Sequence, residues 1–256
     1  MLCPAGREAV KTEQREREAL EGLARRMYLA YRALPGAPAD RVEPETLARE
    51  LLGLRVEYRR LSRDGSVLGL TAAGPVGVPV AEGGGFVYYY LDGNTILLDS
   101  AFLSPWANGG RRRFTLMHEV SHQLLARRSG RREVSRLLRG GEDSPGERRA
   151  NALAAALLMP VPLLRRSLAL YGLTGCPAVP DRRLDPETWR RCAALAEALG
   201  VSRRALDLRL RSLRPAGGRR CLFTGVPGDV AMDENDFRKL ESRGDRGGRC
   251  ICRNTT

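Results

Sequence analysis

The chain has 256 residues, of which 43% are hydrophobic and 29% charged, so it is long enough and apolar enough to bury a core. No stretch reaches the roughly eighteen consecutive apolar residues that a membrane-spanning helix needs. Residues 1–21 contain no apolar segment like that of a secretory signal. We therefore expect a cytoplasmic protein rather than a membrane-bound or secreted one.

Basic residues outnumber acidic ones by 43 to 30, which gives a formal net charge of +13 and an isoelectric point near 10.2. Such a balance is typical of proteins with a nucleic-acid partner. However, the excess is spread along the chain rather than gathered into one stripe, and all but two of the basic residues are arginine. Nucleic-acid binding is therefore an open alternative that the charge alone does not favour.

The first predicted element is a helix over residues 15–34. Apolar side chains recur there at helical spacing, and Pro35 followed by Gly36 ends the pattern. We expect residues 1–39 to form an N-terminal helical segment.

A β-rich region follows a second predicted helix at residues 44–52. Its predicted strands lie at residues 54–61, 67–71, 86–91 and 95–99. Asp92 and Gly93, between the last two strands, are a strong hairpin signal. We expect an α+β fold, in which a small, twisted, antiparallel-rich sheet packs on a mainly helical core.

The next predicted helix, residues 111–128, carries the most specific pattern in the chain. It contains both histidines of the sequence, arranged as His118-Glu119-x-x-His122. Side chains four residues apart share a helix face, so two neutral imidazoles can reach one metal ion while Glu119 points toward its open position. Zn²⁺ suits such a site, with Mn²⁺ as the alternative, and a carboxylate beside the metal is the general base of a hydrolase.

A catalytic zinc site needs a third protein ligand, and no third histidine exists, so a carboxylate must supply it. The best candidate is Glu147, just before an apolar run at residues 150–159 that predicts another helix. The stretch from Ser144 to Glu147 is also a capping box, in which the carboxylate folds back onto Ser144 and cannot bind metal. In that case Glu142 or Asp143 would take its place.

Two further predictions concern the surroundings of this candidate ligand. Asn151 follows Glu147 by four residues on the same helix face, where its side chain is expected to hydrogen-bond a ligand histidine and orient it. Residues 127–143 are rich in Arg and Gly and predict a mobile connection between the two metal-binding helices.

Residues 185–213 predict two helices joined at Gly200 with the spacing of a helix-turn-helix unit. If this unit contacts DNA, the candidate residues are Arg203, Arg204, Arg209 and Arg211. Arg209, however, stands where such units have an apolar core residue. Beyond residue 214 the chain is Gly- and Arg-rich and predicts a flexible tail.

The remaining reactive side chains give weaker signals. The six cysteines include no C-x-x-C pair and are expected to be reduced thiols. No residue is identified as the group that stabilises a tetrahedral oxyanion. The tyrosines that qualify by chemistry alone, with structural roles as the alternative, are Tyr88, Tyr89, Tyr90 and Tyr171.

The segments RFTLMHEVSH (residues 113–122) and ERRANALAAALLMP (residues 147–160) together resemble the ImmA/IrrE family of metallopeptidases. In that family an R-F-T-x-x-H-E-x-x-H helix is followed by an E-x-x-A-N-x-x-A-x-x-L-L-M-P helix. The resemblance covers roughly residues 40–213. The sequence departs from the family at Met117, where a small residue is usual, and at Ser121, where Gly or Ala is common.

The resemblance implies a gluzincin-like fold, a metal bound by His118, His122 and Glu147, and Glu119 as the catalytic base. It also implies a substrate, because characterised members cleave a partner transcriptional repressor of the helix-turn-helix type and so release stress-response or mobile-element genes. In the family a segment similar to residues 185–213 looks like scaffold or docking surface.

We therefore predict a metal-dependent endopeptidase acting on a helix-turn-helix repressor. The alternative is a DNA-binding regulator with a structural or vestigial metal site. The predicted division is an N-terminal helix (residues 1–39), a metallopeptidase domain (40–175), a helix-turn-helix-like segment (176–214) and the tail (215–256).

Overall fold

The computed structural model describes residues 4–129, 134–138, 144–176 and 178–213. This part of the chain contains seven α-helices and six strands, five of which follow one another before α3, so the predicted α+β class is confirmed. The helices are α1 (Pro4–Arg32), α2 (Pro44–Thr46, continued by a π-helical turn at Leu47–Leu51), α3 (Gly109–Ser129), α4 (Pro145–Leu158), α5 (Val161–Leu170), α6 (Pro186–Ala198) and α7 (Arg203–Ser212). The strands are β1 (Arg55–Arg59), β2 (Val67–Ala72), β3 (Pro75–Glu82), β4 (Gly85–Asp92), β5 (Thr95–Asp99) and β6 (Val134–Leu138).

The larger sheet has four strands in the order β1-β5-β2-β6. β5 pairs in parallel with β1 and antiparallel with β2, and β2 pairs antiparallel with β6 on its other side. Two of the three pairings are antiparallel, as predicted. All five residues of β5 are buried, which explains why three consecutive apolar residues, Ile96 to Leu98, form the centre of this inner strand instead of an alternating pattern.

The predicted hairpin between residues 86–91 and 95–99 is wrong. β4 pairs instead with β3, in a separate two-stranded sheet, through a two-residue turn at Gly83 and Gly84, whose φ angles of 55° and 80° suit a tight hairpin. The turn at Asp92 exists, since its carboxylate accepts a hydrogen bond from the Asn94 N–H at 3.0 Å. This turn carries the chain from one sheet to the other instead of pairing the two strands.

The segment between the two motif helices also differs from the prediction. α3 continues to Ser129, and residues 134–138 form β6, which extends the sheet beside β2. The polar composition of this segment predicted a connection without regular structure. The strand forms because the segment pairs with the edge of β2, and composition does not report such a tertiary contact.

The core lies where α3 packs between the larger sheet and α4. Leu116, Met117 and Val120 of α3 are almost completely buried, as are Leu153 and Leu157 of α4. α3 contacts β2 and β5 on one side and α4 on the other, and α1 packs against α4 and α5. The helix bearing the two histidines is therefore held on two sides.

The two C-terminal helices begin and end as predicted. Asp185 caps α6 by accepting a hydrogen bond from the Thr188 N–H, and Ser202 caps α7 by accepting one from the Ala205 N–H. Gly200, with a φ of 66°, lies in the turn between them. The predicted helix-turn-helix-like pair is thus present.

Within the described residues, no single helix is long and apolar enough to cross a bilayer. α4 and α5 pass that test only together, as a pair bent by 50° at the break between them. The described residues up to Leu213 belong to one compact unit, and the division into segments within it stays a prediction. The predicted tail lies outside the described residues.

Candidate metal centre

α3 presents its two histidines one turn apart on the same face. The helix starts where the Asn108 side chain accepts a hydrogen bond from the Arg111 N–H at 2.9 Å. Helical periodicity then brings the Nε2 atoms of His118 and His122 to within 3.0 Å of each other. His118 is fully buried and His122 is about one-sixth exposed, so the pair lies at the edge of the core.

Glu147, at the start of α4, directs its carboxylate at both histidines. Its Oε2 lies 2.9 Å from Nε2 of His118, and its Oε1 lies 3.2 Å from Nε2 of His122. The capping alternative is resolved by the same geometry. The Ser144 hydroxyl caps α4 by accepting a hydrogen bond from the Glu147 backbone N–H, and the Glu147 carboxylate points at the imidazole pair.

These three side chains form a candidate metal-binding triad, and their donor atoms all lie within 4.8 Å of one another. Tetrahedral zinc with bonds of roughly 2.0–2.1 Å sets its ligand atoms about 3.3 Å apart, which is close to the spacing seen here. Three electron-rich atoms facing one another at this range repel unless a cation lies between them. The donor set therefore fits a divalent metal.

Asn151, the predicted orienting residue, lies beside His118. Its Oδ1 lies 2.9 Å from Nδ1 of His118, and because an amide oxygen can only accept, Nδ1 carries the proton and Nε2 offers its lone pair to the triad. Burial, together with the neighbouring His122, lowers the pKa of His118 below its usual value. The ring is thus neutral near pH 7, which is the form that binds metal.

Glu119 is fully buried, immediately after His118 in the chain. β2 passes against this side chain at Gly69. Because the Glu119 carboxylate is buried and the backbone of β2 lies against it, this side chain has little freedom to move.

The other predicted candidates are placed as follows. Glu142 and Asp143 lie outside the described residues. Tyr88 and Tyr90 are exposed on the outer face of the β3–β4 hairpin, and the Tyr89 hydroxyl donates a hydrogen bond to Glu57 at 2.6 Å. Tyr89 therefore has a structural contact, and Tyr88 and Tyr90 have surface positions.

Sequence reasoning missed Gln123, which follows His122 and is 1% exposed. Its amide nitrogen donates to Thr71 Oγ1 at 2.7 Å and to the carbonyl of Ala72 at 2.8 Å, so it fastens α3 to the end of β2. Its place one turn after Glu119 on the same helix face was the available signal.

Sequence reasoning also missed the structural role of Arg113. Its guanidinium, 13% exposed, bonds Glu43 and the carbonyls of Val42 and Gly200, so it joins three distant segments. A β-carbon on Gly200 would lie 2.5 Å from Nε of Arg113, which leaves room only for glycine. This arginine therefore holds the C-terminal helix pair against α3.

Comparison with known proteins agrees with this geometry. Residues 88–211, just under half of the chain, match the family model of the IrrE N-terminal-like domain of the M78 peptidases. Among curated proteins, none matches this sequence. The matched region contains α3, α4 and the complete triad. The chain therefore carries a peptidase domain of the ImmA/IrrE family.

Proposed function

We propose that the protein is a zinc-dependent endopeptidase that cleaves a transcriptional repressor of the helix-turn-helix type and so releases stress-response or mobile-element genes. The convergence of His118, His122 and Glu147, with buried Glu119 adjacent in the chain, carries the proposal. In this assignment the first three residues are the metal ligands, Glu119 is the catalytic base, and Asn151 orients His118.

A zinc ion held by this triad would polarise the scissile carbonyl and make a water molecule more acidic. Glu119 removes a proton from the attacking water while the oxygen of that water bonds to the carbonyl carbon. The same carboxyl then delivers the proton to the amine nitrogen as the C–N bond breaks. His118, fixed by Asn151, keeps its lone pair directed at the centre throughout.

A catalytic role is favoured over a structural one by the number of donors. Structural zinc sites have four protein ligands, whereas catalytic sites have three and leave one position open. The cluster found among the described residues has three. A structural site also has no use for a carboxylate next to a ligand, and Glu119 stands in that place.

The repressor as substrate rests on the resemblance to characterised ImmA/IrrE members. The second candidate function, a DNA-binding regulator, is motivated by the α6–α7 pair. Arg203, Arg204 and Arg211 are exposed on it. Arg209 is not available to DNA, because it is 3% exposed and bonds the carbonyl of Met159 and the carboxylate of Glu21. We therefore favour the peptidase.

The test uses the full-length, zinc-loaded protein and the repressor encoded beside its gene. Wild type and Glu50→Gln, a change at an exposed glutamate, are expected to cut the repressor at one site. Glu119→Gln is expected to lose about 10²–10⁴-fold in rate while its zinc content stays the same. Equal cutting by wild type and Glu119→Gln, or no cutting by either, overturns the proposal.

A second measurement addresses the alternative function. Operator binding by the wild-type protein, with an affinity that falls steeply as salt rises, would indicate phosphate contacts. If binding of this kind occurs without any cleavage of the repressor, the regulator replaces the peptidase as the best account.

A further inference from the structure

A cavity of about 960 Å³ adjoins the candidate metal centre, since His122 and Glu147 are part of its lining. This volume is within the range of sites that hold a small ligand or a short peptide. Side chains that line it come from α1, α3, the start of α4 and the end of β2. Anything bound there lies directly beside the triad.

α1 supplies one wall of this cavity through Glu16, Ala19 and Leu20. The helix is fastened in place at two points, because Glu16 forms an ion pair with Arg149 of α4 and Glu21 forms one with buried Arg209 of α7. α1 lies entirely outside the residues that match the family model. The wall is therefore a feature of this chain that the family match does not describe.

Another part of the lining comes from the second half of α3. Leu125 and Ala126 of α3 are the apolar lining residues from this helix, as Ala19 and Leu20 are from α1. Leu20 and Leu125 are each only partly buried by the protein, so they have apolar surface left to cover. An apolar side chain of medium size fits such surroundings better than a charged one.

Gln123 contributes a fixed side chain to the same wall. Its amide nitrogen donates a hydrogen bond to the Ala72 carbonyl, and this fixes the orientation of the amide. Its Oε1 is closed off from solvent and has no hydrogen-bond partner within the part of the chain that the structure describes.

We propose that this cavity is the substrate-selecting site of the peptidase. It takes a short extended stretch of polypeptide next to the scissile bond, with an apolar side chain held between Leu20 of α1 and Leu125 of α3. An extended segment fits because its side chains point alternately to opposite sides, so one side chain can enter the cavity while the main chain continues past the triad.

β2 does not offer the alternative of main-chain pairing. A peptide often binds a peptidase or recognition domain by adding a strand to an exposed sheet edge. Here both edges of β2 are already paired, one with β5 and the other with β6. Selection at the end of β2 therefore depends on the cavity walls.

This inference rests on the proposed peptidase function, so the experiment separates the two. Zinc-loaded wild type is profiled with a randomised peptide library, and the residues beside each cut are read by mass spectrometry. Wild type is expected to prefer Leu, Met or Val at one position. Leu20→Trp, which fills the cavity, should shift that preference toward Ala and Ser, and Leu20→Ala should shift it toward Phe, each by about tenfold or more in relative kcat/KM.

The matched control is Leu170→Trp, a change at a leucine that is 73% exposed and does not line the cavity. Its cleavage profile should equal that of wild type. Opposite shifts for the two Leu20 variants cannot come from general loss of stability. If both Leu20 variants keep the wild-type profile, the cavity does not select the substrate and the inference is overturned.

Binding provides a readout that does not depend on turnover. A fluorescein-labelled peptide with Leu at the preferred position, or a labelled Leu-rich hexapeptide if wild type cuts nothing, is titrated into zinc-loaded Glu119→Gln. Affinity should fall about tenfold when Leu20→Trp is added. If no peptide is cut but this fall is seen, the proposed function fails and the cavity assignment stands. If the affinity is unchanged by Leu20→Trp, the cavity assignment fails.

Discussion

Gly69 of β2 and Glu119 of α3 are in contact so close that no side chain fits between them. A β-carbon on Gly69 would lie 2.7 Å from Oε1 and 3.0 Å from Cγ of Glu119, and 2.9 Å from Cγ2 of Thr115. The register of β2 against β6 shifts between Val67 and Gly69, so the strand is irregular at this point. The backbone of β2 therefore fixes how far the Glu119 carboxylate can move toward the sheet.

Substitution of Gly69 by alanine is expected to displace Glu119 or push β2 away from α3. A displacement of about 1 Å at a catalytic group can lower the rate by about 10²-fold, and forcing a methyl into a packed contact costs about 1–3 kcal/mol of stability. We expect kcat for repressor cleavage to fall at least about tenfold with little change in zinc content. Stopped-time cleavage assays, zinc analysis and urea unfolding measure these three effects.

Gly77→Ala is the matched control, because a β-carbon on Gly77 meets only Tyr88 Cδ1, at an ordinary 3.6 Å. Its unfolding free energy should stay within about 0.5 kcal/mol of wild type and its kcat should not change. Similar losses of kcat in both variants would show that the contact at Gly69 does not position Glu119.

Asn151→Ala removes the acceptor that holds the Nδ1 proton of His118. Loss of such an outer hydrogen bond typically lowers metal affinity by about 10–100-fold, and we expect a change of this size. Competition with a chromogenic zinc chelator measures it. Asn151→Asp keeps an oxygen in the same place and should recover most of the affinity. An unchanged affinity in Asn151→Ala would mean that the ring is oriented by its packing alone.

Removal of the metal is expected to destabilise the folded protein, because the triad brings a carboxylate and two imidazole nitrogens to within 3.2 Å of one another. A ligand present at about 100 times its Kd stabilises the folded state by about 2.7 kcal/mol. Thermal unfolding should therefore shift to lower temperature in a strong chelator and return on addition of zinc. His122→Ala should show no such response, and an equal response in that variant would place the metal elsewhere.

The placement of the two histidines on one helix face could be predicted from sequence because helix geometry is local. The spacing of His118 and His122 decides that both lie on one face, whatever the tertiary structure. Glu147 was harder, since the same four residues encode a cap and a ligand. The structure shows that these roles are compatible, because the cap uses the Glu147 backbone N–H and leaves the carboxylate free to turn toward α3.

β3 was missed because Pro75 and Pro79 lower the strand signal of a stretch that is nevertheless paired along its whole length with β4. The glycine pair at residues 83 and 84, which forms the real hairpin turn, was overlooked in favour of Asp92 and Gly93. Both turns contain glycine with a positive φ angle. Only the packing of the strands decides which of the two turns joins strands that pair with each other. The partner of Arg209 could not be predicted either, since Glu21 lies 188 residues earlier in the chain.

Arg209→Met is expected to destabilise the protein by about 3 kcal/mol, because it leaves the carboxylate of Glu21 beside a buried surface without its cation. Arg209 is 3% exposed and bonds Glu21 through both terminal nitrogens, whereas Arg204, five residues earlier on the same helix, is exposed. Arg204→Met should therefore change the unfolding free energy by less than about 0.5 kcal/mol. The double variant Glu21→Leu with Arg209→Met should recover much of the loss, since it removes both charges together. Urea unfolding of wild type and these three variants measures the differences. If Arg209→Met is as harmless as Arg204→Met, or if the double variant is no more stable than Arg209→Met, the ion pair does not join α1 to α7 as the structure indicates.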